Sequence, residues 1–167
     1  MKHALPIISV FLALTAVQAA PVIAQDASTE EAPAETDGLE TGTLSITTEE
    51  GAVEFSIEIA DEPEEISFGL MERESLPENA GMLFDFGNPR EPAMWMKNTL
   101  IPLDMIFIAS DGTIQMIARN TVPGSLRTIS PGMPVKGVLE INGGRAAELG
   151  IKPGDTVNHA IFGTNDG

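Results

Sequence analysis

The sequence predicts a mainly β (α+β) domain, a compact antiparallel β-barrel or sandwich with two short helices. Apolar and polar residues alternate in short runs that form about eight strand-like segments. Only two segments have the longer apolar period of a helix, and turn-forming residues separate the strands. Runs of strands with few helices favour antiparallel pairing over an alternating α/β arrangement.

The amino-terminal residues have the layout of a secretory signal peptide, which we place at residues 1–24. Lys2 and His3 provide a basic start, and an apolar run of about eleven residues follows at 7–17. We predict cleavage after Ala24, with Ala19 as the alternative site. The alternative interpretation is an uncleaved anchor, but the run is shorter than the roughly 20 residues of a spanning helix. The sequence therefore predicts a periplasmic or secreted protein.

Residues 25–42 are predicted to be an acidic disordered linker, because they contain one large apolar residue, Leu39. A single domain is predicted for residues 43–167. Residues 25–78 hold 17 acidic residues against one basic residue, and the formal net charge of the whole chain is -16. This charge argues against nucleic acid or an anionic membrane surface as a partner.

The chain contains no cysteine, which excludes disulfides, thiol chemistry and a lipid-modified amino-terminal cysteine. We expect a monomer without a cofactor, and no stable membrane insertion after signal removal. An unknown small molecule or an envelope protein is the expected partner.

The predicted elements follow the chain in order. An antiparallel hairpin starts at Leu44 and turns at Glu49-Glu50-Gly51, and Asp61 caps a helix of about ten residues whose first turn holds Pro63. The remaining strands are predicted at 82–86, 94–97, 103–109, 113–121, 135–141 and 156–161, with a second short helix at 142–149.

The stretch from Met94 to Ile108 is predicted to form two strands joined by a tight corner at 98–102. Asp104 would then lie in an apolar row, where a carboxylate needs a partner, and Lys97 is the favoured cation over Arg73 and Arg127. In one interpretation, Asp104 and Asn98 brace the corner through backbone amides. In the other, Trp95, Lys97, Asn98, Asp104 and Arg73 bind a small ligand at the mouth of a pocket.

The candidates for chemistry are weaker. Asp104 and Glu140 could form the carboxylate pair of a small hydrolase acting on envelope glycans. Met94 and Met96 would share one face of a strand and could bind Cu(I) through their thioethers, although methionine more often fills irregular gaps in a core. We therefore favour a non-catalytic binding module of the periplasm or cell envelope over both alternatives.

Several motifs also stand in the order and spacing of one protein family. They are Gly69-Leu70-Met71 with Arg73, Leu76-Pro77, Gly81-Met82-Leu83-Phe84, Trp95-Met96-Lys97-Asn98-Thr99, Ile101-Pro102-Leu103-Asp104, Val138-Leu139-Glu140 and Gly154-Asp155. On these motifs the chain resembles the domain of unknown function 192 family, DUF192, a group of uncharacterised bacterial and archaeal proteins that are commonly exported. The resemblance implies a compact, mostly β barrel or sandwich, and it implies no particular activity.

Overall fold

The computed structural model describes Met1 and residues 38–164 of the chain. The predicted signal peptide and the linker up to residue 37 lie outside these residues. All the elements below belong to one compact unit, which contains residues 38–164. They are β1 (Glu40–Thr48), β2 (Gly51–Ala60), α1 (Pro63–Phe68), β3 (Ala80–Arg90), β4 (Leu103–Ile108), β5 (Ile114–Ala118), β6 (Val135–Asn142), α2 (Arg145–Glu148), β7 (Thr156–Asn158) and a 3-10 turn (Ala160–Phe162).

The strands form one seven-stranded curled sheet in the order β5-β4-β6-β3-β2-β1-β7. Its two edge strands approach each other at one end, where Thr113 and Thr156 form an isolated antiparallel bridge. The amide of Val157 donates to the Gly112 carbonyl at 2.8 Å, and the amide of Ile114 donates to the Asp155 carbonyl at 2.9 Å. The fold class is therefore mainly β with two short helices, as the sequence predicts.

One strand pair departs from the predicted antiparallel arrangement, since β2 and β3 are parallel. Two parallel neighbours need a crossover connection, and here α1 and the turns after it provide it. Helix α1 is six residues long, shorter than predicted, and its cap is Glu62 rather than Asp61. The backbone amides of Asp61 and Glu62 both donate to the Glu65 carboxylate, in a capping box.

Apolar side chains cover both faces of the sheet. The first core includes Leu44, Phe55, Leu83, Ile106 and Ile141, and the second includes Met82, Phe84, Met96, Met105 and Phe107. Strand β4 contributes to both, because Ile106 and Ile108 enter the first core while Leu103, Met105 and Phe107 enter the second. Both faces of this strand are covered, as the sequence predicts.

The predicted strand at 94–97 is wrong, because this segment has irregular backbone with one isolated bridge between Met94 and Ile129. The amide of Met96 donates to the Ser125 carbonyl at 3.0 Å, so the segment is paired with the loop that follows β5. Asn98 ends it in the left-handed conformation, with φ of 54°, which asparagine tolerates better than most residues.

Further boundaries also differ from the prediction, among them those of β3, which extends beyond the predicted 82–86 to Ala80–Arg90. Strand β1 begins at Glu40, so residues 40–42 belong to the sheet rather than to the linker. Helix α2 has four residues, and the last strand ends at Asn158 and leads into the 3-10 turn. Within residues 38–164, no helix combines the length and apolar character needed to span a bilayer.

Candidate ligand-binding cleft

A cleft of about 410 Å³ opens beside the second core. Its walls come from α1 and the turn after it, the second half of β3, and the irregular segment that follows β3. The lining residues are Ile66, Ser67, Phe68, Gly69, Leu70, Met71, Phe84, Phe86, Arg90, Glu91, Pro92, Ala93, Met94, Trp95, Thr99 and Glu140. Its volume falls in the range typical of small-molecule sites, about 300–1,000 Å³.

Two aromatic side chains of the cleft are exposed to solvent. Phe68 is 54% exposed at the end of α1, and Trp95 is 48% exposed in the irregular segment. Phe68 precedes Gly69, whose φ of 53° turns the chain out of the helix, and an added Cβ on Gly69 would lie 2.9 Å from the Phe84 ring. This close approach seats the turn after α1 on β3, and leaves Phe68 in solvent.

Glu140 is a buried carboxylic acid in the lining of the cleft and is only 5% exposed. It lies on β6, opposite Met82 of β3 on one side and Met105 of β4 on the other. Its carboxyl group forms no hydrogen bond or ion pair with any residue from 38 to 164. Burial raises the pKa of Glu140 from 4.5 to about 8, so that this group is mainly a neutral acid at neutral pH.

Asp104 is fully buried and lies on the other face of the sheet. It pairs in register with Ile141 while Met105 pairs with Glu140, and successive side chains on a strand point to opposite faces. The predicted catalytic pair of Asp104 and Glu140 is therefore wrong, because the two carboxyl groups do not face one cleft.

Three backbone amides hold Asp104. Its Oδ1 accepts from the amides of Asn120 at 2.7 Å and Gly144 at 3.0 Å, and its Oδ2 accepts from the amide of Ala146 at 2.9 Å. Asp104 thus braces the end of β5 and the start of α2, and it does so without a cation. The predicted partner, Lys97, and the predicted bracing of the 98–102 corner by Asp104 are both wrong.

The other predicted binding residues are dispersed. Lys97 is exposed, and its Nζ lies 5.3 Å from the centre of the Trp95 ring. Asn98 is exposed and does not line the cleft, but its carbonyl accepts from the amide of Glu72 at 2.9 Å, which fixes the turn after α1. Arg73 forms a two-pronged ion pair with Glu58 of β2, in which Nη1 donates to Oε1 at 2.6 Å. Of the five predicted ligand-binding residues, Trp95 alone lines the cleft.

The two methionines proposed for Cu(I) have different surroundings. Met94 is half-buried and lines the cleft. Met96 is fully buried, and its Sδ accepts a hydrogen bond from the Thr121 hydroxyl at 3.0 Å. The predicted strand that would align them does not form. Within the described residues, His, Cys, Asp and Glu side chains do not gather in groups of three that could hold a metal.

The sequence did not predict the residues at the rim of the cleft, Phe86, Arg90 and Glu91. Arg90 lies 4.3 Å above the centre of the Phe86 ring, and none of the described carboxylates forms an ion pair with it. The neighbouring carboxylate of Glu91 accepts from the Ser130 hydroxyl at 2.8 Å. Phe86 occupies the apolar face of the strand predicted at 82–86, and Arg90 lies beyond the predicted end of that strand although β3 extends to it, so no periodic pattern marked them as a site.

A curled seven-stranded sheet with a cleft beside its second core makes this a small, mainly β domain. Comparison with known proteins identifies its family. The chain belongs to the DUF192 family (Uncharacterized ACR), whose profile matches residues 45–159. The predicted resemblance is thereby confirmed. No match was found among curated proteins.

Two solved structures are similar to the chain. One is a "putative transcription regulator" from Sinorhizobium meliloti 1021, with 42% identity, a TM-score of 0.73, and coverage of 76% of this chain and 99% of that one. The other is a protein of unknown function from Novosphingobium aromaticivorans DSM 12444, with 41% identity, a TM-score of 0.73, and coverage of 77% and 91%.

Proposed function

We propose that this protein is an exported, non-catalytic module that binds a small ligand in the cleft beside Trp95. One observation carries the proposal: a concave cleft lined by apolar side chains and a few polar ones connects two exposed aromatic side chains, Phe68 and Trp95, to the unpaired buried carboxyl of Glu140. Apolar walls with a few polar groups are typical of small-ligand sites. Exposed aromatic side chains at the mouth can cover the apolar part of a ligand.

The positions of the ionisable groups support binding rather than catalysis. Hydrolysis by side chains needs a nucleophile with a base, or two carboxyl groups that face one substrate. Asp104 has its oxygens occupied by backbone amides on the opposite face of the sheet. The other carboxyl group of the cleft lining, that of Glu91, is hydrogen-bonded to the Ser130 hydroxyl, and no hydrogen bond joins it to Glu140 among the described residues.

Export is proposed from the basic start, the short apolar run and the small residues that follow it. The net charge of -16 favours a soluble role away from nucleic acid, although one structural relative is described as a regulator. Fractionation of cells that express the full chain checks this part. The account predicts a shortened protein in the periplasmic or culture fraction, whereas full-length protein retained in the cytoplasm contradicts it.

The ligand site can be tested with the intrinsic fluorescence of Trp95, the only tryptophan in the chain. Emission is titrated with a panel of small apolar and amphipathic molecules. Binding in the cleft is expected to change the intensity or wavelength of Trp95 emission in a saturable manner. Phe68→Ala is expected to weaken every such ligand, whereas the control Leu126→Ala, an exposed apolar residue outside the cleft lining, leaves binding unchanged. Saturable binding that neither variant alters would place the ligand elsewhere.

A further inference from the structure

The two buried carboxyl groups of this domain have opposite surroundings. Asp104 receives three backbone hydrogen bonds, which is the arrangement that stabilises a charged carboxylate away from water. The Glu140 carboxyl group receives no hydrogen bond from the described residues, although only 5% of this residue is exposed. An ionised group in that position would cost several kcal/mol, so the site favours the neutral acid.

The residues that pair with Glu140 across the sheet carry no charge. They are Met82 and Met105, and the apolar side chains of Phe84 and Leu70 line the same cleft. A neutral carboxyl group carries one hydrogen to donate. A ligand oxygen that enters the cleft and accepts this hydrogen would therefore gain a hydrogen bond there.

The charged groups of the cleft are at its rim. Arg90 has no carboxylate partner among the described ion pairs, while Glu91 is hydrogen-bonded to Ser130. Lys97, which is outside the cleft lining, lies over the exposed Trp95 ring. Arg90 and Lys97 carry two positive charges against the one negative charge of Glu91, so this part of the cleft favours negative over positive charge.

From this arrangement we infer that the cleft selects a largely apolar molecule that has an oxygen acceptor and no positive charge, and that Glu140 donates its carboxyl hydrogen to that oxygen. The inference rests on the proposed ligand-binding function and names its ligand class. The apolar body contacts Phe68 and Trp95, and an anionic group, where one is present, lies toward Arg90.

The affinity of such a ligand depends on the protonation of Glu140. Burial raises the pKa of this residue to about 8, and the ionised form has no hydrogen to donate. The fraction of neutral acid therefore falls about tenfold between pH 7 and pH 9, and affinity is expected to fall by the same factor.

Probes of equal length and different charge test the inference on the whole protein. We would titrate 2-octanone and octylammonium, following Trp95 fluorescence and calorimetric heat at pH 7 and pH 9. Glu140→Gln keeps a donor of similar size without titrating, and Glu54→Gln, at an exposed position of β2, is the matched control. The ketone is expected to bind the wild type and Glu54→Gln about tenfold more weakly at pH 9 than at pH 7. It is expected to bind Glu140→Gln with the same affinity at both pH values.

The outcomes separate the two proposals. Tighter binding of octylammonium than of 2-octanone, or ketone affinity that rises with pH, overturns the ligand class while leaving a ligand-binding cleft in place. If neither the neutral nor the cationic probe changes Trp95 fluorescence or produces calorimetric heat, the inference and the proposed function are both overturned. The wild-type pH series decides between these outcomes even where Glu140→Gln fails to fold.

Discussion

Replacing Asp104 with alanine gives the most direct test of the bracing that joins β5, β4 and α2. The substitution removes three acceptor contacts, to the amides of Asn120, Gly144 and Ala146. Hydrogen bonds to a charged group contribute about 1.5–3 kcal/mol each, but the contributions do not simply add. Asn120 is exposed and its amide can bind water, whereas Ala146 is fully buried and its amide cannot.

We therefore expect Asp104→Ala to lower the free energy of unfolding by about 3–5 kcal/mol, a large part of the 5–15 kcal/mol typical of a domain. Asp104→Asn keeps one acceptor oxygen but places an amide donor against a backbone N–H, and we expect a loss of about 2 kcal/mol.

Urea unfolding followed by far-ultraviolet circular dichroism measures both values. Asp111→Ala is the control, since Asp111 also accepts from a backbone amide, that of Thr113, but in an exposed turn. A loss for Asp104→Ala no larger than that for Asp111→Ala would refute the bracing role.

Three other predictions concern the cleft. Burial raises the pKa of Glu140 from 4.5 to about 8, so the stabilising effect of the neutral acid is fully present below pH 4.5 and is lost as pH rises through 8. The urea midpoint of unfolding should therefore fall between pH 4.5 and pH 8 in the wild type, and much less in Glu140→Gln. Gly69→Ala would hold an alanine at a left-handed φ, with its Cβ 2.9 Å from the Phe84 ring. We expect the free energy of unfolding, measured by chemical denaturation, to fall by about 2 kcal/mol or more. A fall under about 0.5 kcal/mol would contradict this packing. Because Trp95 is 48% exposed, Trp95→Ala should cost under about 1 kcal/mol in unfolding free energy while abolishing ligand binding measured by calorimetry; a core-sized loss would assign it to folding instead.

Local alternation was sufficient to predict most of the sheet. Val53, Phe55, Ile57 and Ile59 alternate with polar residues, and the structure packs them on the first core, so the strand and its face are confirmed. A strand with one apolar face has a period of two that short-range sequence shows directly.

The segment around Trp95 shows where local pattern fails. Met94 and Met96 suit a strand, but their backbone partners lie in the loop after β5, which has no strand-like sequence. The parallel pairing of β2 and β3 was missed although the helix between them was predicted, because strand direction in the sheet depends on contacts that the local pattern does not show.

The site was only partly predictable because it depends on distant contacts. The amides that hold Asp104 are 16, 40 and 42 residues away in sequence, and neither spacing nor residue type marks a backbone donor. Glu140 was noticed as a carboxylate in a strand, but its isolation follows from Met82 and Met105 on two other strands. Trp95 was found because it is the only tryptophan in the sequence and precedes a predicted turn.

The central claim is that the cleft beside Trp95 is a ligand site, and a crystal structure of the protein soaked with its tightest ligand from the fluorescence screen tests it most directly. The account predicts the ligand between Phe68 and Trp95, with an oxygen within hydrogen-bond distance of the Glu140 carboxyl. A ligand bound on another face of the sheet, with the cleft empty, would contradict it.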